Sequence, residues 1–420
     1  MENSKGVRNI KDSIYWWEAF FNVFKSTVGT GILTLPEAFL TAGLVSGSIG
    51  LIFVAAICII SLNLLVDANK IACQKLEVSA LNYGDLVKFA FSENKYSSKF
   101  SFYGKVTTNL ITFLFQFFVC SAYIRITAET INDLITIVLG TSSHIPLWAL
   151  IFLMELPFGA IAVVRNMRII SIFSGFAVLL LTISLVSIFT EISIDVPSPS
   201  GLPLYTNFWM TALLMGRTIY SMESIATILP IENKMKRPEH FRLVMNSAFI
   251  AITLIYLAFA LIGFMKYRFE VADVITENLP DTVFFKIIRV LFGITILFTY
   301  SIQFYAMNLV VIPLVEKYLH FKSSIFFTVL LLVTAQVLIA GIFPNVDLAL
   351  SLIGGSLGAI LFVVFPPIVG ILVKENDKSS LTSGIALYKS FCFLILVFGC
   401  FITLTSTAAA IAEIYQSVRH

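Results

Sequence analysis

The chain has 420 residues, of which 58% are hydrophobic and only 13% charged, with a formal net charge of +3. A globular protein carries about twice that share of charge. The composition excludes a water-soluble fold, points to lipid as the solvent, and suggests no nucleic-acid partner.

The first 15 residues are polar, and no cleavable signal peptide is expected. Long apolar runs then recur near 17–43, 47–68, 106–131, 145–164, 168–190, 207–231, 243–265, 287–316, 324–343, 347–373 and 388–415. Each has the roughly 20 residues needed to cross hydrocarbon as a helix. Strands of a β-barrel would be about 10 residues long and alternating. The sequence therefore predicts an all-α integral membrane protein of about eleven transmembrane helices. With the N-terminus in the cytoplasm, 20 of the 28 Lys and Arg residues fall on the inner side and five on the outer. That bias predicts a cytoplasmic N-terminus and an extracellular or lumenal C-terminus. The longest polar stretches, near 69–105, 191–206 and 266–286, are too short to be domains. Function must lie in the bundle.

Span 1 holds FKSTVGTGILTLP, residues 24–36. Gly29, Thr30, Gly31 and Pro36 weaken a helix there, since Gly tolerates unwound backbone and Pro lacks a donor. Unpaired backbone in lipid costs several kcal/mol per group. It persists where substrate and ions bind the half-helix ends, as in many secondary transporters. Thr27, Gly29, Thr30 and Gly31 are therefore candidate substrate ligands. Close helix packing is the competing reading of the glycines. An inverted repeat places a second break five spans later. Span 6 has YSMES there, with Tyr220, Ser221 and Glu223 as candidates, against simple back-bonding of the serines.

Charges inside a membrane are functional by default, at about 2.5–3.5 kcal/mol each. Lys25 sits roughly 13 Å into span 1, about nine residues at 1.5 Å each. Arg217 and Glu155 share a depth near the midplane, which permits a pair; Lys25 with Glu223 is the other candidate pair. Arg125 reads as a snorkelling residue near the end of span 3. All four histidines lie at span ends or in loops, so a moving proton needs a carboxylate: Glu223, Glu155 or Glu129. In span 8, Thr299, Tyr300, Ser301, Gln303 and Tyr305 suit a small hard cation such as sodium, or act as polar glue between helices. Gly354 and Gly358 in span 10 read as packing. No metal-ligand spacing, HExxH motif or Rossmann context is present, so neither an enzyme nor a cofactor is expected.

Three stretches, KSTVGTGILTLPEAF, SIATILPIENKMKRPEHF and FTYSIQFY, resemble the amino acid/auxin permease family, in its proton-coupled amino acid transporter branch. The resemblance implies an APC-superfamily bundle with the LeuT-like 5+5 inverted repeat and broken helices 1 and 6. Residues 17–190 would form the first repeat, 191–206 an extracellular loop, 207–373 the second repeat, and 388–415 a peripheral eleventh helix, after a cytoplasmic N-terminus at 1–16. It implies a small or neutral amino acid as substrate. The carboxylate would lie near Thr27 to Gly31 and the amino group near Tyr220 to Glu223, with Tyr300 and Gln303 on the other wall. Asn22 stands where that branch commonly has a histidine, and Met307, Asn308 and Leu309 replace its Pro-Ala-Glu, so proton symport is put in question. Sodium coupling and facilitative transport stay open. An amino-acid sensor signalling to a cytoplasmic partner is the second function class, and the plasma membrane is the expected site ahead of lysosomal or endosomal membranes.

Overall fold

The computed structural model describes residues 13–93, 97–139, 145–318, 323–342, 346–375 and 382–419. Helix occurs within each of the eleven predicted spans. The first half contains α1 (Trp16–Thr27), α2 (Gly31–Ala42), α3 (Leu44–Leu76), α4 (Tyr83–Glu93), α5 (Ser101–Leu139), α6 (Leu147–Leu153), α7 (Glu155–Ala162) and α8 (Met167–Ser193). The second half contains α9 (Phe208–Ser221), α10 (Ile225–Lys234), α11 (Phe241–Tyr267), α12 (Val283–Tyr318), α13 (Ser323–Ile342), α14 (Val346–Ile353), α15 (Phe365–Glu375) and α16 (Thr382–Arg419). Eight helices among the described residues are long and apolar enough to cross a membrane.

Four predicted spans are not single helices, and two of these interruptions were not expected. The first and sixth spans break at residues 28–30 and 222–224. The fourth breaks at Met154, between α6 and α7; Pro157 cannot donate to the carbonyl of Leu153, which loosens that turn. Between α14 and α15 the helix widens into π turns over Gly354–Gly358 and Ile360–Val364. Pro366 and Pro367 remove donors just beyond. A further helix, α4, lies in the polar stretch after span 2. It buries Tyr83, Leu86, Val87 and Ala90, a 3.6-residue pattern in a run far too short for a membrane crossing.

The two broken spans sit inside the bundle. Most residues of α2 and α10 are buried, as expected of helices enclosed by other helices. By contrast, α8 leaves a stripe of Ile172, Phe176, Leu179, Ile183 and Val186 exposed. Such a stripe has lipid as its natural neighbour.

Contacts between loops define two ends of the bundle. At the near end, where the chain starts, the Ile14 amide donates to the Lys234 carbonyl at 2.8 Å, and Asn233 Nδ2 donates to the Leu81 carbonyl at 2.9 Å. At the far end, Leu44 N donates to the Pro203 carbonyl at 2.8 Å, and Lys266 Nζ to the Ile194 carbonyl at 2.6 Å.

Candidate functional site

The two breaks face each other. Val28, after α1, is extended at φ −81°, ψ 100°. Ser224, before α10, is at φ −153°, ψ 10°. Neither Gly29 nor Gly31 has a positive φ. They serve close approach instead. A Cβ on Gly31 would lie 2.8 Å from Ser221 Cα, and one on Gly29 would lie 2.8 Å from Tyr123 Oη. The competing packing reading of these glycines therefore holds in part: the helix breaks here, Gly31 lets the second break touch the first, and Gly29 lets Tyr123 of α5 come close.

Side chains tie the breaks together. The Tyr256 hydroxyl of α11 is shared between the Thr27 carbonyl at 3.1 Å and the Ser221 carbonyl at 2.9 Å. Thr30 Oγ1 and Tyr220 Oη lie 3.2 Å apart. Gln303 Nε2, from α12, donates to the Ser26 carbonyl at 3.0 Å. A small cavity remains between these groups, with about 10 Å³ open to the centre of a water molecule. That is no more than one water needs.

Eight of the nine substrate candidates, Thr27, Gly29, Thr30, Gly31, Tyr220, Ser221, Glu223 and Gln303, line this cavity. Tyr300 does not. Its hydroxyl donates to Gln336 Oε1 of α13 at 2.7 Å, and its ring packs on Phe158. The Ser221 hydroxyl bonds back to the Arg217 carbonyl at 2.8 Å, as the local reading of that serine holds. Glu223 is 3% exposed, and its carboxylate faces the amides of Ile225 and Ala226 at the start of α10. Its Oε1 has no hydrogen-bond partner.

Neither charge pair expected from depth alone is formed. Arg217 pairs with Glu37 of α2 and donates from Nε to Ser351 Oγ at 2.9 Å. Glu155 instead accepts from Thr334 Oγ1 of α13 at 2.5 Å. Lys25 Nζ donates to the Val28 carbonyl at 2.8 Å and makes no ion pair with Glu223. Depth fixes how far along a helix a charge lies, and not which neighbour it faces. Arg125 does not simply snorkel: it pairs with Glu129 at 2.5 Å, one turn along α5. On α12, Thr299 and Ser301 donate to carbonyls of their own helix, so these bonds stay within α12 and do not join it to a neighbour.

Of the residues that line the cavity, Ser26, Val119 and Tyr123 were missed, as were Tyr256, which ties the breaks together, and Glu37, the partner of Arg217. Glu37 follows Pro36 inside an apolar span and was a readable signal. Tyr123 and Tyr256 are single tyrosines in apolar helices, and nothing local sets them apart from core.

A second, larger cavity of about 470 Å³ opens at the near end. It runs from Asp85, Lys88, Lys105 and Lys317 to Thr112 and Ala226. Ala226 is one of the residues whose amide faces Glu223. Toward the far end, the Arg217–Glu37 pair closes the space between α2 and α9.

Residues 12–412 match the family described as transmembrane amino acid transporter protein. This chain belongs to that family. It is 28% identical over 364 residues to the proton-coupled amino acid transporter-like protein pathetic of Drosophila melanogaster, covering 85% of this chain and 76% of that one. It is 27% identical over 413 residues to the amino acid transporter AVT3A of Arabidopsis thaliana, covering 95% and 90%. Among solved structures it is similar to Mhp1, a nucleobase-cation-symport-1 family transporter closed on bromovinylhydantoin. The TM-score is 0.59 at 14% identity, over 100% of this chain and 95% of Mhp1. It is also similar to MhsT in complex with L-phenylalanine, with a TM-score of 0.57 at 11% identity, over 96% and 100%. These two likenesses show the fold alone: a LeuT-type bundle. The relatives are named as transporters, not as enzymes.

Proposed function

We propose that this family member carries a small or neutral amino acid across a membrane by alternating access. The substrate would bind where the two breaks meet. One observation carries this reading: two interrupted helices enclose a polar cavity beside a buried carboxylate oxygen that has no partner of its own. The α-carboxylate would take the start of α2, where free amides and the helix dipole favour an anion. The amino group would take Glu223 Oε1. The present cavity admits one water, so binding must be accompanied by widening between α2, α5 and α9.

We read the near end as cytoplasmic, consistent with the bias of basic residues. The 470 Å³ vestibule is then the inner half of the path, and the far end is sealed. The proposal includes eleven crossings, with α1 to α8 and α9 to α15 as inverted repeats and α16 outside them, in the plasma membrane. Proton-coupled, sodium-coupled and uncoupled transport differ in which ion crosses with the amino acid, and the experiment separates them. Radiolabelled amino acids are screened for uptake by cells expressing the chain, with pH and sodium varied in turn. Saturable uptake of at least one amino acid, reduced about tenfold or more in Glu223→Gln, is expected. That loss corresponds to about 1.4 kcal/mol of binding. No uptake of any amino acid with the protein confirmed at the surface overturns the proposal and favours a sensor.

A further inference from the structure

The end of α1 shows an arrangement that the substrate site does not account for. A helix C-terminus leaves carbonyls without intrahelical partners and carries about half a negative charge. Here three consecutive carbonyls each receive a donor from the protein. The Ser26 carbonyl takes Gln303 Nε2 at 3.0 Å, the Thr27 carbonyl takes Tyr256 Oη at 3.1 Å, and the Val28 carbonyl takes Lys25 Nζ at 2.8 Å. Lys25 is 1% exposed, and no carboxylate of a described residue pairs with it. It cannot be reaching for water, because its amino group is folded back onto the break. A free carbonyl at such a break is where a mobile cation would bind.

We propose that Lys25 is a tethered cation: its amino group fills the carbonyl position that a mobile monovalent ion would otherwise occupy at the end of α1. The inference rests on the reading of the breaks as a transport site, but its test reads binding and stability rather than uptake. Two features favour a built-in group over a passing one. The lysine comes from the same helix as the carbonyl it serves, three residues earlier, so its position is set by one helical turn. The neighbouring Thr27 and Ser26 carbonyls take donors from α11 and α12, so the Val28 carbonyl is the one that the lysine itself serves.

The test uses the purified full-length chain in nanodiscs, unfolded by heat in sodium, lithium, methylammonium or choline chloride at equal ionic strength. Wild type should show the same midpoint in all four salts. Lys25→Ala vacates the position and should unfold at a lower temperature in choline. Sodium, lithium or methylammonium should then raise its midpoint by about 2 °C or more, as a ligand specific to the folded state does. Lys25→Met fills the space with an apolar chain and should gain no ion response. The proposal is overturned if wild type is stabilised by sodium over choline, or if folded Lys25→Ala is indifferent to all three cations. Should Lys25→Ala not fold, binding of radioactive sodium to wild type decides: none is expected, and saturable binding overturns the proposal. A chain with no uptake of any amino acid would still give these readings, so failure of the transport reading and failure of this one are distinct.

Discussion

The Arg217–Glu37 pair joins the far-end halves of the two broken spans, and its contribution follows from its burial. The two side chains are 7% and 13% exposed, so solvent does little to screen them. Arg217→Met leaves the Glu37 carboxylate buried with no counter-charge. Breaking a buried pair from one side costs about 3–5 kcal/mol. Glu37→Leu takes the paired carboxylate away from the buried guanidinium in the same way and should cost a similar amount. The double variant Arg217→Met/Glu37→Leu removes both charges and fills the space with apolar groups. It should lose about 1 kcal/mol, the usual worth of the Ser351 bond. The singles would then sum to about 6–10 kcal/mol, far above the double. Equilibrium unfolding in mixed micelles by SDS titration measures all four corners of the cycle. A double variant that loses as much as the two singles together would show that the charges are not coupled, and would refute the pairing. The cycle also bears on transport. Opening at the far end must separate this pair, so the double variant should label faster than wild type at a cysteine placed at Thr30.

Three further predictions rest on separate observations. Gly31→Ala puts a Cβ 2.7 Å from Ser221 Cβ and 2.8 Å from its Cα; the breaks must move apart, so about 1–3 kcal/mol of stability and most of the uptake should be lost, and normal uptake by this variant would contradict the close approach. Tyr256→Phe deletes the hydroxyl shared by the Thr27 and Ser221 carbonyls; about 1–3 kcal/mol should be lost as two buried acceptors go unpaired, read by thermal unfolding, with no change in how much protein reaches the surface. Gln116 and Asn308 are buried amides whose side-chain N and O atoms have no partners, close to the near-end vestibule lined by Thr112, Ala306 and Leu309. Gln116→Leu and Asn308→Leu should leave stability unchanged or raise it, because burying an unpaired amide is costly, while slowing uptake; a drop in stability with normal uptake would assign them to packing instead.

What was legible in the chain, and what was not, divides along one physical line. Spans and breaks depend on local chemistry. Apolar length marks a crossing helix, and Gly29, Gly31 and Pro36 mark a helix that cannot stay whole, so the first break was readable at residue level. The second break has no glycine, yet the polar run at Tyr220–Ser224 located it to within two residues of the observed gap at 222–224. The expected repeat supplied the reason to look there. The helix α4 was readable in principle through its apolar residues at 83, 86, 87 and 90, but a search for 20-residue runs passes over an eleven-residue helix. Partners depend on which face of a helix meets which neighbour, and a single sequence gives only the depth of a residue. Arg217 and Glu155 share a depth but face different helices, so equal depth implied a pair that does not form. Glu37 had the opposite problem: it is a charge beside a proline in an apolar span, and its partner is 180 residues away in the chain. Lys25 shows why the error matters for function. Read by depth, it is one charge in search of another. Read in the folded chain, it is a donor to a carbonyl exposed where its own helix ends, a partner that depth along the span does not reveal.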